Sequence, residues 1–127
     1  MEKAVNSHRL LFFAEKDDLD GERLLAAFGE IPPPASLAIC RRLDEVGEEL
    51  RLPGRENLIA VLMAARKEDI SRFQSVFELG SVPIILIIPD RDELTLKMAH
   101  QMLPRFLSLK NGDFSDVIQV LQKMCRS

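Results

Sequence analysis

The chain contains no tryptophan and no tyrosine, only two histidines, two cysteines and six glycines, and its 17 basic and 20 acidic residues leave a formal charge of just -3. Each shortage excludes something. Without a basic block or a basic stripe interleaved with aromatic rings, nothing tracks a phosphate backbone, so nucleic acid is not an expected partner. Cys40 and Cys125 stand far apart with no C-x-x-C pair, and His8 and His100 have no companion at metal or nucleophile spacing. Neither a zinc site nor a redox dithiol is expected, and no metal, cofactor or catalytic residue is assigned. The run Leu10-Leu-Phe-Phe13 is too short for a signal-peptide core, and no apolar run approaches the length of a membrane span. The expectation is a soluble, cytoplasmic chain that does not enter membranes. A glycine-rich phosphate loop is also missing after the first apolar run. There, Ala14-Glu-Lys-Asp-Asp-Leu-Asp-Gly21 would repel an anion.

What is present is enough apolar material for one core. With 46% hydrophobic residues in 127, the chain reads as a single domain over 1-127 that needs no metal or disulfide staple. Apolar runs alternate with helical patterns. Leu10 to Ala14, Ser36 to Cys40, Leu58 to Met63, Ile84 to Ile88 and Arg105 to Leu109 read as five strands. The fourth is β-branched and bracketed by Pro83 and Pro89, which fit only at strand ends. Between the strands lie helical segments. Glu22 to Phe28 stops at Gly29, and Leu43 to Leu50 has apolar residues at 43, 46 and 50. Lys67 to Leu79 stops at Gly80, Asp90 to Met102 carries the stripe Leu94, Met98 and Met102, and a last amphipathic segment runs from Phe114 to Met124. Ile31 to Pro34 must be extended. Strict alternation of strand and helix calls for a parallel sheet covered on both faces.

This order of elements resembles the response-regulator receiver family of two-component signalling. The likeness is carried above all by Pro83-Ile-Ile-Leu-Ile-Ile88 with its following helix, and by Phe106-Leu-Ser-Leu-Lys110 leading into Asn111-Gly-Asp-Phe-Ser-Asp-Val117. The resemblance implies an α/β, flavodoxin-like three-layer sandwich with a five-stranded parallel sheet of order 2-1-3-4-5. It also implies a functional pocket at the carboxyl ends of the strands.

In that family the pocket works through two acids after the first strand and an aspartate ending the third. These hold magnesium through oxygen ligands, and the aspartate accepts the phosphoryl group. A hydroxyl after the fourth strand and a lysine after the fifth complete the set. Here Ala14 and Glu15 fall at the acidic pair, with Asp17 and Asp18 further along. Leu62 falls at the phosphoacceptor, flanked by Met63 and Ala64, and Ile88 replaces the hydroxyl. Lys110 remains, or lies one residue late if Phe106 is matched to the family's switch aromatic and Leu109 to its lysine. The expected remnant is a degenerate acid pocket of Glu15, Asp17 and Lys110 that cannot form a phospho-aspartate.

The implied function is that of a pseudo-receiver working by protein contact in a bacterial-type two-component pathway. Its partner would be a histidine kinase, an output domain, another signalling protein or a second copy. Met98, Gln101, Met102, Phe106 and Val120 form the expected partner face, although the stripe Leu94, Met98 and Met102 reads first as core packing. Glu15, Asp17, Asp18 and Asp20 read first as a solvated turn. Two alternatives stay open: phosphotransfer through a displaced acid such as Asp69, and a flavodoxin-like enzyme or ligand-binding domain.

Overall fold

The computed structural model describes residues 8-31, 36-53, 55-77 and 82-126. Five parallel strands form one sheet: β1 (Arg9-Phe13), β2 (Ser36-Cys40), β3 (Leu58-Met63), β4 (Ile84-Ile88) and β5 (Phe106-Leu109). Their order is β2-β1-β3-β4-β5. Helices α1 (Leu19-Ala27), α2 (Leu43-Arg51), α3 (Lys67-Val76), α4 (Glu93-Gln101) and α5 (Ser115-Arg126) connect and close it. The fold is flavodoxin-like α/β, with the strand order that the receiver resemblance implied.

The three central strands are buried on both faces, which is why they read as unbroken apolar runs. Alternate side chains feed two cores. Leu11, Phe13, Leu62 and Leu86 pack with α2, α3 and α4, where Phe13 meets Phe73 edge to face at 5.4 Å. Phe12, Met63, Ile85 and Ile87 pack with α1 and α5, where Phe12 meets Phe28 in the same geometry.

Several boundaries move. The first helix starts at Leu19 rather than Glu22, because Asp18 caps it, accepting hydrogen bonds from the backbone N-H groups of Asp20 at 3.1 Å and Gly21 at 3.3 Å. The fourth helix spans Glu93-Gln101 and the last begins at Ser115. The triple proline Pro32-Pro34, Gly54 and the Gly80 helix stop lie outside the described residues.

The stripe on α4 packs on the core at Met98 and Met102 but not at Leu94. Thr95, Ala99 and Met102 face inward, Leu96 and Met98 are half-buried, and Leu94 is 52% exposed. The inward line of the helix thus runs through Thr95 and Ala99, and Leu94 falls outside it. Met102 is thus a core residue, 2% exposed, and not part of an accessible partner face. The other four residues of that face retain exposure: Gln101 is open to solvent, and Met98, Phe106 and Val120 are half-buried. Met98 lies on the α2, α3 and α4 side of the sheet and Phe106 and Val120 on the α1 and α5 side, at the end of the sheet that β5 closes. Among the described residues no helix is long and apolar enough to cross a membrane.

Candidate functional site

In a sheet of this order the chain leaves β1 toward one face and β3 toward the other, which opens a crevice at their carboxyl ends. Here the strand ends that border it are apolar. Leu62, Met63, Ala14 and Ala64 are wholly buried and Ile88 is 2% exposed. Gly21 of α1 lies against Ala14 and Met63 so closely that a Cβ built on it would stand 2.6 Å from the Cβ of Ala14, with the Met63 sulfur 3.8 Å away. Only glycine allows α1 to descend this far onto the strand ends. Leu62 packs on the other face of the sheet, with Phe13, Leu86 and the α3 side chains, and offers no oxygen.

Around these strand ends, cationic side chains stitch the loop after β1 to its neighbours. Arg66 donates to Glu15 Oε2 at 2.7 Å, bridging the ends of β1 and β3. Arg41 reaches the Ala14 carbonyl at 3.4 Å and pairs with Glu22 at 2.9 Å. Lys110 extends from the end of β5 to Asp18 Oδ1 at 2.8 Å and Asp20 Oδ2 at 3.1 Å. Arg23 donates to the Gly112 carbonyl at 2.6 Å and lies 5.1 Å above the Phe114 ring.

The acid pocket expected from Glu15, Asp17 and Lys110 is therefore not assembled as such. Asp17 is exposed, with a positive φ of 69° that aspartate tolerates better than most residues. That turn delivers Asp18, not Asp17, to Lys110. Glu15 belongs to a separate pair with Arg66. The reading of residues 15-20 as a wholly solvated turn also fails at Asp18, whose side chain is only 5% exposed. Asp18 and Asp20 could have been suspected from the sequence as a helix cap followed by a first-turn acid. Their meeting with Lys110 had no local signal.

Burial pulls the Lys110 ammonium toward its neutral form, but the hydrogen bonds and charges of Asp18 and Asp20 outweigh it, leaving its pKa above the ordinary lysine value. Leu109, the alternative match for the family's lysine, packs instead against the core on the α2, α3 and α4 side. Phe106 packs on the opposite face, against the core of α1 and α5.

Asp69, the displaced acid of the phosphotransfer alternative, is occupied as a cap. Its Oδ2 accepts from the N-H groups of Ala65 at 3.0 Å and Arg66 at 3.1 Å, and its side chain is 5% exposed. A cavity of about 250 Å³ adjoins it, lined by Phe13, Leu43, Phe73, Arg41, Arg42 and Arg72 among others. Among the described residues, no three His, Cys, Asp or Glu side chains converge closely enough to hold a metal ion.

Comparisons with known protein families, with characterised proteins and with solved structures find no match to this chain.

Proposed function

We propose that this chain is a pseudo-receiver: a receiver-like signalling module that is not phosphorylated and acts by protein contact in the cytoplasm, within a two-component-type pathway. The observation that carries the reading is Leu62, fully buried at the end of β3 where the receiver resemblance calls for a phosphate-accepting aspartate. The surrounding stitches support it. A lysine that steadies a phosphoryl group must be free to reach it, whereas Lys110 is engaged by Asp18 and Asp20. The module's role is contact rather than catalysis, through the exposed side of β5 and its flanking helices, in one fixed conformation. The partner is a histidine kinase, an output domain or another signalling protein.

The test is a titration of magnesium and then beryllofluoride into the isotope-labelled chain, followed by backbone amide NMR. The proposal expects no saturable shift at Glu15, Leu62 or Lys110. Saturable shifts there, spreading to Phe106 and α5, would restore the phosphorylatable receiver and end this reading.

A further inference from the structure

Helices α2 and α3 lie side by side on one face of the sheet, and between them the structure holds a groove of about 510 Å³. Leu43 and Leu50 of α2 and Val76 of α3 line it, so its floor is apolar. Gly47 lies between the two leucines, in the middle of the groove's α2 side. A glycine inside a helix weakens it relative to alanine, and Gly47, unlike Gly21, is not demanded by a close approach. Beyond the helix's own backbone, a Cβ built on Gly47 would find within 4 Å just the Nη2 of Arg51, at 3.7 Å. What the missing side chain provides is depth in the groove.

Two cations line the walls, Arg51 from α2 and Arg72 from α3. Among the described residues no carboxylate pairs with Arg51. Arg72 stands 3.9 Å from Asp69, a carboxylate that already accepts from the N-H groups of Ala65 and Arg66 and from the Arg66 guanidinium. The one acid among the lining residues is Asp44, and Arg42 holds both of its oxygens, at 3.0 and 3.1 Å. The other acids of α2 do not line the groove. Glu45 accepts from the N-H groups of Arg41 and Arg42, and Glu49 pairs with Arg9 at 3.8 Å. Positive charge is therefore in excess along an apolar floor. Both walls are helix flanks whose backbone groups bond within the helices, so an occupant must satisfy its own backbone. A third helix does so, and it can lay apolar residues spaced i, i+3 or i+4 and i+7 into the groove. Its flanking positions then meet Arg51 and Arg72, which selects carboxylates there.

We infer that this groove receives an acidic amphipathic helix of a partner protein, its apolar stripe seated over Gly47 on Leu43, Leu50 and Val76, and its carboxylates paired with Arg51 and Arg72. The groove shares no residue with the partner face at the β5 end of the sheet, and the inference stands whether or not the chain is a pseudo-receiver.

A helical peptide with leucines at that spacing and glutamates flanking them serves as probe, with a counterpart carrying lysine for glutamate as control, both titrated into the labelled full chain. The glutamate peptide is expected to give saturable amide shifts at Gly47, Arg51, Ser75 and Val76. Its affinity should fall several-fold between about 50 and about 300 mM salt, as exposed charges are screened. Gly47→Leu should fill the groove and remove the shifts without lowering the thermal midpoint, because leucine favours a helix interior where glycine does not. The double variant Arg51→Gln, Arg72→Gln should weaken binding several-fold and flatten its salt dependence. Equal binding of the two peptides, undiminished binding to Gly47→Leu, or shifts confined to other surfaces would each overturn the inference. So would shifts that phosphatidylserine vesicles produce and the peptide does not, which would assign the groove to an anionic membrane, and shifts that depend on protein concentration without peptide, which would assign it to a second copy.

Discussion

The Lys110 ammonium lies 2.8 Å from Asp18 Oδ1, a bond between residues 92 positions apart that ties the end of β5 to the start of α1. Asp18 is simultaneously the cap of α1, so one carboxylate secures a helix end and a distant loop. Removing the lysine leaves a nearly buried carboxylate short of its counter-charge. Lys110→Met should destabilise the chain by about 1 to 3 kcal/mol, measured by urea unfolding at neutral pH.

The same pair sets a pH dependence. The folded-state pKa of Lys110 lies above the model-peptide value of 10.5, so its contribution is complete below that value and is lost as pH rises through the folded pKa. Cys40 acts in the same direction. Burial, and then the charges of Glu45, Glu49 and Glu48, push its thiol up to about 11 from 9.0. The unfolded chain then gives up a proton between these values that the folded chain keeps, and stability falls across that window. Unfolding free energy should therefore decline from about pH 9 upward. Cys40→Ala should remove the lower part of the decline and Lys110→Met the upper part. A flat alkaline limb in the parent protein would contradict both assignments.

Restoring the missing carboxylate should not restore the chemistry. Leu62 is wholly buried among Phe13, Leu86 and the α3 side chains, so Leu62→Asp places a charge in hydrocarbon. The cost should be at least about 3 kcal/mol, read as a lowered urea midpoint. Magnesium should not recover the loss. A variant that folds normally and binds magnesium would show that a latent pocket exists.

Gly21 is the residue that lets α1 pack against Ala14 and Met63. Gly21→Ala should gain up to about 1 kcal/mol of helix propensity. It should lose about 1 to 3 kcal/mol through collision with Ala14, for a net destabilisation. Combining it with Ala14→Gly relieves the contact, so the double variant should be more stable than the sum of its single changes. Strict additivity would mean that the two positions do not touch.

Much of the fold was legible because strands buried on both faces must be apolar throughout and helices must be amphipathic. Leu58 to Met63 and Ile84 to Ile88 are such strands, and the structure keeps them where the pattern put them. On α4 the stripe held at Met98 and Met102, which pack on the core, and failed at Leu94, because the inward line of the helix runs through Thr95 and Ala99 instead.

By itself the sequence determined the alternation of strand and helix, the parallel sheet that follows from it, and the identity of the side chain at the end of the third strand. Those are local properties, set by periodicity and by chemistry at one position. Only the tertiary structure decided that Asp18 and Asp20 meet Lys110 while Asp17 faces solvent, that Leu94 is left exposed, and that Ile88 borders a cavity shared with Asp113 and Asp116. Each of these depends on where a turn sends the chain or how a helix rolls on the sheet. The energies that settle such choices come from contacts between residues remote in sequence, which no local pattern encodes.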